Sequence, residues 1–296
     1  MSTIAERIGG APISWGVCEA PNWGHELPPE RVLAEMRELG LRATELGPTG
    51  YLGRRPQDVR ALLDRYDLRL IGGFLPVPMH SCTGADLDEA RAAMDTLVAA
   101  SADVVVLAAR STDGSYDHKV RLSETEWSAL LATLGTLREL ARERGLRSTL
   151  HPHVGTAIED RAAVLRLLDA SDVPLCLDTG HLLIGGMNPS ELVALAADRI
   201  AHVHLKDVHS GAAAELAGGV SYIDAVRAGL YTPLGEGELD IAGIVRALEG
   251  AGYTGWYVLE QDTALDRAPE SGTGPIVDVR RSVEFLSTMD SREVAR

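Results

Sequence analysis

The sequence predicts an α/β protein, a single-domain closed (β/α)8 barrel (TIM barrel), and three observations predict it. Short apolar runs alternate eight times with longer amphipathic stretches, as parallel strands and their covering helices do. The 296 residues are 45% hydrophobic and 24% charged, the balance of an ordinary globular chain long enough for one barrel. The rival, a doubly wound open sheet, usually begins on a glycine fingerprint. Here no G-x-G-x-x-G follows the first run, and no Walker-type loop occurs.

Taken in order, the first strand is read at Ile8–Trp15. Its helix lies in PPERVLAEMRELG, where Val32, Met36 and Leu39 share a face and Gly40 supplies a stop. Strand two, Ala43–Leu46, leads to DVRALLDRY, and strand three, Leu68–Phe74, leads to DEARAAMDTLVAAS. Strand four, Val104–Ala108, precedes the long helix ETEWSALLATLGTLRELARERG. Strand five, Leu146–His151, precedes RAAVLRLLD, and strand six, Leu175–Asp178, precedes SELVALAAD. Strand seven, Ile200–Leu205, is followed by the one long connection, residues 208–240. It holds an extra helix in VSYIDAVRAG and the loop YTPLGEGELD, before the helix IAGIVRALEGAG. Strand eight, Trp256–Glu260, precedes a closing helix at Val277–Met289. Residues 1–296 are read as one barrel domain with no repeat beyond the β/α unit. Long βα-loops cover the active face of a barrel, so 208–240 is read as a wall or lid.

The bulk properties exclude several functions. A net charge of −15 and a pI near 5.0 repel phosphate backbones, so nucleic acid is not expected as a partner. No apolar run approaches the roughly 20 residues that span a bilayer, so no membrane partner is expected either. MSTIAERIGGAP lacks a basic head followed by an apolar stretch, and the expected location is cytoplasmic. Cys18, Cys82 and Cys176 are far apart and form no C-x-x-C pair, which speaks against a disulfide framework or zinc knuckle.

Side-chain parity then singles out four strand ends. Alternate residues of a barrel strand face the interior, and at the C-terminal end that interior opens into the mouth. In STLHPHVG, Leu150 and Val154 pack outward and Thr149, His151 and His153 face inward. In PLCLDTGH, Cys176 and Asp178 face inward, with His181 just beyond. In IAHVHLKD, His202, His204 and Lys206 face inward, and in WYVLEQD, Trp256, Val258 and Glu260 do. One inward histidine is more often a satisfied core residue, but four polar ends on adjacent strands read as a site. Asp178, His204 and Glu260, with His151 beside them, form a mixed N/O set suited to Mn²⁺, Co²⁺, Fe²⁺ or Zn²⁺. Glu45, ending strand two, is read as binding a substrate hydroxyl, moving a proton or structuring its loop. Lys206 is read as holding a ketone oxygen or stabilising an enolate, or as pairing with Asp178 or Glu236. Trp15 and Phe74 are read as an apolar wall for a ring face, with core packing the favoured reading for Phe74.

At these residues the sequence resembles a known family. CLDTGH, HVHLKDV and VLEQD, in that order, resemble the xylose-isomerase-like barrels of sugar isomerases and epimerases. APISWG, TELGPTGY, HPHVGT and SYIDAVRAGLYTPLGEGELD are similar to the inosose dehydratase branch. The resemblance covers nearly the whole chain and implies removal of water from a keto-inositol such as 2-keto-myo-inositol by way of a metal-stabilised enediolate. It also implies Mn²⁺ or Co²⁺, a small polyol or keto-sugar as partner and a homo-oligomer. Glutathione is implied by the resemblance alone. In that mechanism Asp178, His204 and Glu260 hold the metal, with His151 either a ligand or a base. The base is His151, His153 or Glu260, and the acid is His181 or another histidine. Epimerase relatives carry a glutamate where His151 stands. A metal-dependent ketose or sugar phosphate isomerase or epimerase is the alternative reading, and a non-catalytic sugar-binding barrel the second.

Overall fold

The computed structural model of the protein describes residues 3–293; Met1 and Ser2, which begin the segment read for a leader, and the last three residues of the predicted domain lie outside it. Eight parallel strands close into a barrel: β1 Ile8–Gly10, β2 Ala43–Glu45, β3 Arg69–Val77, β4 Val104–Ala109, β5 Arg147–Leu150, β6 Leu175–Asp178, β7 Ile200–Leu205 and β8 Tyr257–Leu259. Each pairs with its sequence neighbours, and β1 closes the ring on β8 in the register Ile8↔Tyr257 to Gly10↔Leu259.

The expected parity divides the apolar residues into an inside and an outside. Ala11, Ala43, Ile71 and Val258 pack as one interior cluster, and Val104, Val106 and Cys176 as another. Their alternates, such as Val105, Leu107, Leu177, Val203 and Leu205, pack into the large cluster shared with the helices. Burial of such side chains is worth about 1.5–3 kcal/mol each, so a one-residue slip of register would be strongly opposed.

Several boundaries differ from the sequence reading. β1 stops at Gly10, and Pro12–Trp15 turn as a 3-10 helix that begins on proline. β3 runs three residues further than expected, through Pro76. Its last pair with β2 is Glu45↔Gly72, and Pro76 shares the parity of Gly72, so the missing N–H faces a side with no strand to receive it. Two helices escaped the sequence reading. Thr179–Ile184 begins directly at the end of β6, where Asp178 Oδ1 caps it by accepting from His181 N at 2.8 Å. Ser210–Ala217 opens the long connection, ahead of the expected helix at Tyr222–Arg227. A short antiparallel ribbon, Asp207–Val208 with Tyr231–Thr232, folds that connection over the barrel. The closing helix spans Pro275–Glu293. No helix among the described residues is long and apolar enough to cross a membrane.

Candidate functional site

A cavity of about 730 Å³ opens at the C-terminal ends of the strands, and Glu45, Phe74, His151, His153, Lys206 and Glu260 all line it. Strand ends place these groups: β5, β6, β7 and β8 each stop within a residue of the polar side chain that the barrel interior has no carbon to cover.

Behind its lining residues His151 and Glu260 three ligand-bearing atoms meet, those of Asp178 and His204 lying beneath the cavity surface. Asp178 Oδ2 lies 3.7 Å from His204 Nδ1, which lies 2.9 Å from Glu260 Oε2. His151 Nε2 is 3.4 Å from the same Asp178 oxygen. Asp178 Oδ2, His204 Nδ1 and both nitrogens of His151 are buried and make no hydrogen bond. Buried polar atoms seldom stay unpartnered in a native protein, and such a convergence fits a cation. The sets Asp178–His204–Glu260 and His151–Asp178–His181 both have the spacing to hold a metal. Glu45–His202–His204 has similar spacing, but its atoms are already satisfied. Glu45 Oε1 accepts from His202 Nε2 at 2.6 Å and from His204 Nε2 at 3.0 Å.

Lys206 is the positive pole of the site. Its ammonium is buried, 2.7 Å from Glu260 Oε2, 3.6 Å from Asp178 Oδ2 and in contact with Asp262. Burial alone would lower its pKa, but Asp262, Glu260 and Asp178 hold it well above the ordinary lysine value. Asp178 is the mirror image: burial opposes its charge, yet Lys206 and the surrounding imidazoles hold it well below the usual carboxylate range. Burial likewise opposes the charge on Glu45, and His204 and His202 overcome it, so Glu45 is ionised.

Asp262, two residues beyond Glu260, is a functional candidate that parity along the strand did not reach. Its Oδ2 accepts from Tyr222 Oη at 2.7 Å, and Tyr222 Oη lies 2.8 Å from Tyr231 Oη. Because the Tyr222 proton goes to Asp262, Tyr231 donates to Tyr222. Both tyrosines belong to the long connection, which therefore reaches the site. The available signal was SYIDAVRAG, a motif noted without a role for its tyrosine. Gly180 is required by the same packing: a Cβ there would sit 2.7 Å from the Tyr231 ring and 2.8 Å from Lys206 Cβ.

The histidines differ from one another. Burial first, then His151, pushes His153 down to about 3, so it is neutral. Its Nδ1 donates to Val154 O at 2.7 Å, which leaves the lone pair on Nε2. Burial also lowers His151 and His181. His181, expected as an acid, lies against His153 with ring centroids 3.7 Å apart and is absent from the cavity wall. A buried neutral imidazole in that position has no proton ready to give and supports His153.

Other expected residues are placed as follows. Phe74 lines the cavity and packs against His151 and His153. Trp15 does not: it is fully buried and donates Nε1 to Glu35 Oε2 at 2.8 Å, because the chain turns at Pro12 before reaching the mouth. Trp23 is the tryptophan on the cavity wall. Glu236 is exposed and paired with Arg281, away from both the cavity and Lys206. Glu45 touches the cavity, but the oxygen it shares with two imidazoles is committed inward.

The xylose isomerase-like TIM barrel family matches residues 33–288. An inosose dehydratase from Geobacillus thermodenitrificans (strain NG80-2) is 32% identical over 276 residues, covering 88% of this chain and 91% of that protein. Another, from Lacticaseibacillus casei (strain BL23), is 31% identical over 280 residues, covering 88% and 90%. Among solved structures, the IOLI protein with a bound zinc atom has a TM-score of 0.69, covering 97% of this chain and 98% of that one. Its 14% identity speaks for the fold alone. With a closed eight-stranded barrel, polar strand ends at its mouth and these relatives, the chain belongs to the xylose isomerase-like TIM barrel family, in its inosose dehydratase branch.

Proposed function

We propose that the chain is a divalent-metal-dependent hydro-lyase that removes water from a keto-inositol such as 2-keto-myo-inositol. The observation that carries this reading is the meeting of unpartnered Asp178 Oδ2 and His204 Nδ1 with Glu260 at the mouth of a barrel 32% identical to an inosose dehydratase. The zinc in the IOLI structure supports a divalent ion in this fold. A set of two carboxylates and an imidazole, with His151 in reach, suits Mn²⁺ or Co²⁺ and also accepts Zn²⁺ or Fe²⁺. A paired-carboxylate epimerase would need a second carboxylate on β5, where His151 stands.

Loss of water from a β-hydroxy ketone needs a polarised carbonyl, removal of the α-proton and protonation of the departing hydroxyl. A divalent ion held by Asp178, His204 and Glu260 would polarise the carbonyl oxygen. Lys206 sets a fixed positive charge on the cavity wall, where the negative charge of the enolate develops. His153 is neutral, with Nε2 free to accept the α-proton. The imidazolium so formed gives that proton to the departing hydroxyl. One C–H and one C–O bond break, a C=C bond forms and water leaves. Phe74 and Trp23 offer apolar surface to the ring and displace solvent.

The test is ultraviolet absorbance while Mn²⁺-loaded protein acts on 2-keto-myo-inositol. A growing conjugated diketone or enol band, abolished by chelator, is expected. Asp178→Asn keeps an oxygen for the helix cap but loses the charge, and turnover should fall more than about 100-fold. No spectral change with metal-replete protein would sink dehydration in favour of ketose isomerisation. Full activity in Asp178→Asn would overturn the site.

A further inference from the structure

We infer that Glu45 is a positioning residue that fixes His204 in one tautomer, so that His204 meets the metal through Nδ1. The inference rests on the metal reading above and goes beyond it by naming the ligand atom and the group that selects it.

Glu45 ends β2, three strands round the barrel from β7, and its side chain crosses the interior to reach two histidines of that strand. A carboxylate oxygen has no proton to donate, so at 2.6 and 3.0 Å both His202 and His204 present Nε2–H to it. All three side chains are buried, with relative exposures of 3%, 1% and 0%, and water does not compete for these bonds. With Nε2 of His204 committed as a donor, Nδ1 is the nitrogen whose proton a cation would replace. That atom faces Asp178 Oδ2 and Glu260 Oε2 and makes no hydrogen bond.

The same distances argue against a second metal at Glu45–His202–His204. Glu45 Oε1 and the two Nε2 atoms satisfy one another and leave no unpartnered atom there for an ion. A carboxylate 2.6 Å from one imidazole nitrogen is hydrogen-bonded. His202, sharing the oxygen, keeps Glu45 from rotating out towards the cavity that it also touches. Carboxylate–histidine–metal arrangements of this kind orient the ring and raise its basicity, and losing the outer carboxylate typically costs about 10–100-fold in metal affinity.

The test uses two readouts that do not depend on turnover. In Zn²⁺-loaded protein labelled with ¹⁵N-histidine, long-range ¹H–¹⁵N spectra should show His204, identified by its absence in His204→Asn, protonated at Nε2 and metal-bound at Nδ1. In competition with a chelating dye, Glu45→Gln should bind Zn²⁺ about 10–100-fold more weakly, with Glu45→Asp intermediate. An Nε2-ligated His204 in the parent protein overturns the inference even if Glu45→Gln fails to fold. Unchanged affinity in a folded Glu45→Gln overturns it while leaving the metal reading in place. A parent protein that takes up no Zn²⁺, Mn²⁺ or Co²⁺ brings down both.

Discussion

His153 shows how burial keeps an imidazole neutral. Desolvation is the largest cause of its depressed pKa, the neighbouring His151 adds to it, and the hydrogen bond to Val154 O opposes it. The linkage to stability has a definite sign. An unfolded histidine takes a proton near pH 6.5 and the folded one near 3, so between those values the unfolded chain binds more protons. The stability tied to neutral His153 is complete above about pH 6.5 and falls by up to about 1.4 kcal/mol per pH unit as the pH drops. Urea denaturation of metal-free protein between pH 7 and 5 should therefore show a shallower pH slope, by about one proton, in His153→Gln. Equal slopes would mean that His153 is not held neutral. At this scale the sequence was legible where parity applies. Asp178, His204, Glu260 and His151 could be placed together because each closes or just follows a strand. Asp262, Tyr222 and Tyr231 were not, since beyond a strand end the chain's contacts set direction. Trp15 failed for the same reason, once Pro12 turned the backbone out of the strand.

The long connection after β7 is organised by one buried carboxylate. Asp207 Oδ1 accepts from Val208 N at 2.9 Å and Leu239 N at 3.1 Å, while Oδ2 accepts from Gly235 N at 2.9 Å and Gly237 N at 3.0 Å. The glycines of the loop YTPLGEGELD acquire a physical reason here. Gly235 has φ +85°, and a Cβ on Gly237 would lie 2.2 Å from Asp207 Oδ1. Because the stretch between Asp207 and Leu239 also carries Tyr222 and Tyr231, the clamp holds up part of the cavity wall. Asp207→Ala leaves four N–H donors without their acceptor and should cost about 3 kcal/mol or more, read as a lower urea midpoint. Turnover should fall with it. A variant with parent stability would show that the loop is held by its apolar contacts instead. The sequence announced this connection by its length and its glycines, yet gave no sign that Asp207 was the anchor. The helix Thr179–Ile184 was hidden because Asp178 serves as both strand end and cap, and six residues carry too little periodicity to be seen.

At the scale of the whole molecule, the barrel closes through β1 and β8 and is tied again where Ile4 N and Ala5 N donate to Asp290 of the last helix at 2.8 and 2.9 Å. The eight-fold alternation made that closure readable from sequence, since it depends on repeated apolar patterning rather than any single contact. The site works against the same stability. Asp178, Glu260, Asp262 and Glu45 crowd carboxylates into the interior, offset by the Lys206 ammonium and by the N–H groups that His202 and His204 turn to Glu45. Orphaned Asp178 Oδ2 and His204 Nδ1 each leave a desolvation cost of about 1–3 kcal/mol uncompensated within the chain. A cation that satisfies them binds the folded state alone, so it should stabilise the molecule by mass action. At 100 times its dissociation constant the gain is about 2.7 kcal/mol, which for a chain of this size raises the melting temperature by about 5 °C or somewhat more. Differential scanning fluorimetry with Mn²⁺, Co²⁺ and Zn²⁺ should show that rise in the parent protein and its loss in Asp178→Asn. Mg²⁺, which prefers an all-oxygen shell and keeps its water, should give little. An equal shift in both proteins would place the ion on the acidic surface, and the buried polar atoms would then need another partner.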